Sequence, residues 1–211
     1  MHSELHFIDS LEVHAVALLL PVPIVIVRPS VQVELNKINS MIDHLGYRAD
    51  MVIYADDIQA ASPIIERHAP NLILYVIEDA HDVIHIPKLK QQYYSDHFIV
   101  IFKTPAASVI YSALRYGIHS YMVQEDTIPQ MAETLKIALR GGAYLHPTLA
   151  NYLLEQIRLD AHLKTQFTAS ELQLLAFVSQ NLAFRDILER MQLKDFHAQN
   201  IVRKIYQKIS A

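Results

Sequence analysis

The chain has 211 residues, of which 52% are apolar and 19% charged, with a net charge of −4. That length fits one large domain or two small ones, and the apolar share excludes a disordered chain. The lack of cysteine excludes disulfides, thiolate metal sites and a cysteine nucleophile, and the expected compartment is the cytoplasm.

The longest apolar run near the start is AVALLLPVPIVIV (15–27). Two prolines break it, it is too short to span a membrane, and no basic segment marks it as a signal peptide. Residues 1–22 have no clear assignment and are set apart as an N-terminal extension. From Pro23 the pattern is regular. IVIV (24–27) reads as a buried strand. SVQVELNKINSMIDHLGY (30–47) is amphipathic at three- and four-residue steps and stops at Gly46. A second strand is expected over 49–55 and a helix over 57–70, with Pro63 an irregularity or an internal start. PNLILYVIED (70–79) holds a third strand, followed by a variable stretch over 78–96. FIVIF (98–102), a helix over 105–117, SYMVQ (120–124) and a helix over 127–142 complete the series. Five strands alternating with helices predict an α/β, flavodoxin-like, doubly wound parallel sheet over residues 23–142. Residues 143–166 contain one more helix, TLANYLLEQIRLDAHL, readable as a linker or a dimer stalk. The rest is helical only, so a small all-α domain is expected over 167–211.

Charge divides along the same line. Residues 164–211 hold seven Lys and Arg against four Asp and Glu, or +3, while residues 1–163 hold eleven against eighteen, or −7. Any nucleic-acid contact is therefore expected at the C-terminal end. There, Thr168 and Glu171 form a capping box, and Asn181 marks a break where the left-handed conformation is tolerated. FRDILERM (184–191) is a short helix. After the turn QLKD (192–195) comes a final helix over 196–209. Ile201, Ile205 and Ile209 are expected to face its core. His197, Gln199, Asn200, Arg203, Lys204, Gln207 and Lys208 remain for the other side. Two helices joined by a short turn, the second with a polar and basic face, have helix-turn-helix geometry. Arg, Gln and Asn carry the donors and acceptors that read base edges, and Lys and Arg neutralise phosphates. An ordinary helical bundle with a solvated face fits the same pattern.

The 167–211 segment resembles the LuxR-type helix-turn-helix of the NarL/FixJ response regulators. Thr168, Glu171, Leu174, Leu175, Leu182, Ile187, Leu193, Val202, Ile205 and Lys208 keep the family's residue types, without a gap. Asn181 replaces the family's Gly, and His197 and Ile201 depart at or beside the DNA face. The resemblance implies base reading at Gln199, Asn200 and Arg203, and phosphate contacts at Lys194, His197, Lys204 and Lys208. It extends to residues 23–142, which look like a receiver: ALRYGIHSYMVQED (113–126) and RGGAYLHPTLANYLL (140–154) match receiver and linker stretches.

A phosphorylated receiver needs two Mg²⁺-binding acids after the first strand, an acceptor aspartate ending the third, a Thr or Ser after the fourth and a Lys after the fifth. By alignment these positions are Arg28 and Pro29, Val76, Phe102 (Lys103 or Thr104 if the strand slips) and Gln124. Every functional type is lost, so a pseudo-receiver is expected. Asp79 and Glu78 lie too far along to stand in for the acceptor, and Asp56 and Asp57 are explained as helix caps.

HDVIH (81–85) has the spacing of a zinc-protease motif, but lies in a loop-like stretch before Pro87. No catalytic site, metal or cofactor is expected. Tyr75, Tyr93, Tyr94 and Tyr116 could line an effector pocket or simply pack. The expected partners are double-stranded DNA, a second copy of the chain, and a protein or small-molecule effector at the receiver-like domain, with no membrane. The alternative is an interaction protein that docks a partner and no longer binds DNA.

Overall fold

The computed structural model describes residues 23–28, 35–91, 97–104 and 106–211. The 1–22 extension, Pro29, the start of the 30–47 helix, and Tyr93 and Tyr94 lie outside them.

The apolar runs form five strands: β1 (Ile24–Val27), β2 (Val52–Ala55), β3 (Leu72–Ile77), β4 (Phe98–Phe102) and β5 (Tyr121–Val123). They pair in parallel in the order β2-β1-β3-β4-β5, which makes this an α/β doubly wound sheet. Side chains alternate across the pleat, so each strand feeds two cores. Ile26, Leu74, Val76 and Ile101 face α1 (Asn36–His44) and α5 (Ile128–Leu139). Val27, Tyr75, Phe102 and Tyr121 face α2 (Ile58–His68), α3 (Ile86–Gln91) and α4 (Ala107–Arg115). Pro63 lies inside α2 without ending it. The stretch after β3, expected to be variable, opens with a 3₁₀ turn over Ala80–His85 and runs into α3.

The C-terminal third is helical: α6 (Pro147–Leu159), α7 (Ala161–Gln166), α8 (Ala169–Ser179), α9 (Phe184–Met191) and α10 (Asp195–Ser210). A single helix over 148–163 was the expectation, but the chain breaks at Asp160. Its backbone is extended, and its Oδ1 accepts from the N–H groups of His162 and Leu163 at 2.8 and 3.2 Å, starting a new helix. Nor is α6 a free stalk. Leu149, Ala150 and Leu153 are fully buried between α4 and α8. The core on the α2–α4 side of the sheet thus continues without a break through α6 into Leu174, Leu175 and Ile205 of α8 and α10.

The buried stripe of α10 is Ala198, Val202, Ile205, Tyr206 and Ile209, while Ile201 is only half-buried. A strict four-residue repeat drifts about 40° per step on a helix of 3.6 residues per turn, whereas steps of four, three and four stay on one face. Ile205→Ala is therefore expected to cost about 2–5 kcal/mol in urea unfolding, and Ile201→Ala clearly less.

Candidate functional site: the sheet edge and the last helix

In parallel sheets, ligands bind beyond the carboxyl ends of the strands. At that edge Arg28 follows β1. Its Nε donates to Asp56 Oδ1 at 2.9 Å, a second guanidinium N–H donates to the same oxygen, and its backbone N–H donates to the Ala55 carbonyl at 3.1 Å. Asp56 is thereby drawn into an ion pair, and only Asp57 caps α2, accepting from the Ala60 N–H at 2.6 Å. Val76 is fully buried in the core under α1 and α5. Beyond β3, Glu78 pairs with Lys103, which follows β4, at 3.2 Å. Phe102 packs edge-on against Tyr121, ring centres 5.8 Å apart. The Gln124 carbonyl accepts from the Lys37 ammonium.

Asp82 holds the loop that follows. Its Oδ2 accepts from the N–H groups of Glu78 and Asp79 at 2.9 and 3.2 Å, and its carbonyl accepts from the Tyr75 hydroxyl at 2.9 Å. Tyr75 is thus a core residue, its hydroxyl pushed well above the ordinary value by burial, then by the Asp82 and Asp79 charges. His81 and His85 sit on the 3₁₀ turn, where a spacing of four puts two side chains about 120° apart and not on one face. Among the described residues no cluster of three or more His, Asp or Glu could hold a metal.

At the other end of the chain, Gln192 takes the left-handed conformation (φ +53°) and the Leu193 N–H donates to the Leu188 carbonyl at 2.9 Å, which turns α9 sharply into α10. Asn181, as its residue type suggests, also has positive φ (+55°). Thr168 and Glu171 form the expected capping box of α8, at 2.7 and 3.3 Å.

No family model matches the chain. A curated relative, the transcriptional regulatory protein DegU of Brevibacillus brevis, is 23% identical over 213 residues, covering 85% of this chain and 90% of that one. The chain is thus similar along most of its length to a transcriptional regulatory protein. Among solved structures, full-length FixJ from B. japonicum covers 90% of this chain and 90% of its own, at 13% identity and a TM-score of 0.45. RcsB of Salmonella enterica serovar Typhimurium bound to promoter rprA covers 89% and 92%, at 11% identity and 0.47.

The fold places the residues singled out on the last helix in different surroundings. Arg203 donates to the Gly141 carbonyl at 2.7 Å, and Gln199, one turn earlier, lies against Gly142. Both are thus turned toward the α5–α6 connection. His197, Asn200 and Lys204 line an open groove on the outer side together with Ile201, Gln207 and the flank of Arg203. Lys194 is exposed at the N-cap. Lys208 is tied inward: its ammonium lies 2.6 Å from Glu171 Oε2 and over the Phe167 ring. Tyr206, which the repeat of isoleucines does not single out, is fully buried and donates to the Tyr144 carbonyl at 2.6 Å.

Burial would push the Glu171 carboxyl up, but the Lys208 ammonium and the Thr168 N–H and hydroxyl hold it below its ordinary value. A depressed carboxyl stabilises the fold above the ordinary value of 4.5, and that contribution is lost as pH falls through the folded value. Glu171→Gln is expected to cost about 1.5–3 kcal/mol at pH 7. It is also expected to flatten the fall in stability below that pH, as read by urea melts across the range.

Proposed function

We propose that this chain is a DNA-binding transcription regulator whose receiver-like part acts without phosphorylation. Residues 23–142 form that part, 143–166 are a helical connection, and 167–211 are the DNA-binding unit. The observation that carries the reading is the sheet edge. Phosphoryl transfer needs hard oxygen ligands for Mg²⁺, an exposed carboxylate and a cation facing it. Here Arg28 stands after β1 already paired to Asp56, the acceptor position is the buried Val76, and the position expected to carry a hydroxyl is a packed phenylalanine. The lost chemistry is replaced by ion pairs that tie neighbouring loops together.

The DNA-binding half is supported by the tight α9–α10 turn, by the likeness to a transcriptional regulatory protein, and by the polar outer face of α10. On that face Asn200 is suited to read a base edge, and Lys204, His197 and Lys194 to meet phosphates. Arg203 borders the same groove while one of its N–H groups is held by the Gly141 carbonyl, and Gln199 lies against Gly142. A homodimer on a repeated half-site is the expected assembly. The second reading, an interaction protein that docks a partner and has lost DNA, draws on Arg203, Gln199 and Lys208 being engaged inside the fold.

Selection of bound fragments from genomic DNA, followed by titration of the recovered duplex at several salt concentrations, separates the two. Asn200→Ala is expected to weaken binding by about 1–3 kcal/mol, and Lys204→Ala to reduce the slope of log affinity against log salt by about 1. If both variants bind as weakly as the wild type, the chain does not read DNA through α10. Incubation with acetyl phosphate and Mg²⁺ is expected to leave the mass unchanged. Gain of one phosphoryl group on an aspartate would overturn the phosphorylation-independent reading.

A further inference from the structure

Between α5, the 143–145 segment and helices α8, α9 and α10 lies a cavity of about 220 Å³. Interiors are normally packed as densely as organic crystals, with few voids larger than a water molecule. A dry apolar cavity of about 150 Å³ is enough to admit benzene in another protein. The walls here are largely apolar: Ile137, Leu145, Leu174, Val178, Phe184 and Val202. The charges are all of one sign. Asp126 and Glu133 border the space, and no Lys, Arg or His does.

Asp126 is the more informative of the two. It is half-buried after β5, and burial pushes its carboxyl up, opposed by His146, the Val123 backbone and Lys37. Among the described residues it forms no ion pair, whereas Glu133 has Lys136 at 3.8 Å on the outer surface. His146 and Lys37 act on Asp126 from outside the cavity, and on the cavity side no cation faces it, so on that side its charge is poorly solvated. An anion placed beside it adds repulsion, and a neutral hydrocarbon leaves it desolvated. Only a donor, best a cation, satisfies it while an apolar body fills the rest.

We propose that this cavity binds a small amine with a compact apolar body, of arylalkylamine size, its ring among Leu174, Val178 and Val202 and its ammonium at Asp126. Because α5, α8 and α10 all line the space, the ligand would bridge the sheet's helical cover and the last helix. Gln199 of the last helix also borders the space, but the ligand contacts proposed need no DNA, and the site is tested without it.

The test uses the full chain, with phenethylamine as the probe and phenylacetate as the anion of similar size. Saturation-transfer NMR detects binding and calorimetric titration measures it. The amine is expected to bind at least about tenfold more tightly than the acid. Asp126→Asn, nearly isosteric, is expected to abolish that preference, and Val178→Phe, which fills the cavity, to abolish binding of both. Circular dichroism reports whether each variant folds, and if Val178→Phe does not, Asp126→Asn alone decides. Failure of the amine to bind, equal binding of amine and acid, or a preference that survives Asp126→Asn would overturn the proposal. Binding of the amine to a folded Val178→Phe variant would place it outside the cavity and overturn it equally.

Discussion

A buried tyrosine must place its ring among apolar groups and still find a partner for its hydroxyl. Tyr206 meets both demands only in one rotation of α10. Its hydroxyl reaches the Tyr144 carbonyl, and its ring lies 6.2 Å from Tyr121, which in turn meets Phe102. Burial holds the Tyr206 and Tyr121 hydroxyls well above their ordinary titration range, so the row of rings stays neutral throughout the physiological range. Once Tyr206 is seated, the rest of α10 follows from helical spacing. Arg203, three residues earlier, reaches Gly141. Gln199, four before that, meets Gly142, and His197, Asn200 and Lys204 lie along the outer groove that Arg203 also borders.

The same row explains what happened at the sheet edge. Phe102, at the end of β4, is a packing surface for Tyr121. Arg28, Asp56, Glu78 and Lys103 likewise spend their charges on one another. Exposed pairs of this kind contribute little stability each. What they do is tie the loop ends after β1, β2, β3 and β4 to one another. The edge is held together by its own side chains.

Much of this was legible in the residues. The five strands followed from apolar runs of four to seven residues, and the parallel, doubly wound sheet from their alternation with helices. Asp57, Thr168 and Asn181 did what their side chains favour locally. The misses share one cause. The break at Asp160 turns on whether an aspartate sits inside a helix or begins one, and both suit the local pattern. The stripe of isoleucines on α10 was misjudged because Ile201 and Val202 are equally apolar, and only the neighbouring helices decide which is inside. Tyr206, Arg203 and Lys208 reach partners 37 to 62 residues away in sequence, two of them backbone carbonyls, and such contacts leave no local trace. Nor does a cavity assembled from five separate segments.

The unbroken core from the sheet through α6 to α10 has a thermal consequence. Lifting the last helices away would wet Leu174, Ile205 and Tyr206, all fully buried. Exposure of apolar surface carries a positive heat capacity, so the free energy of such an opening is curved in temperature. The joint is therefore firmest at intermediate temperature and loosens in the cold, where apolar surface is least costly to hydrate.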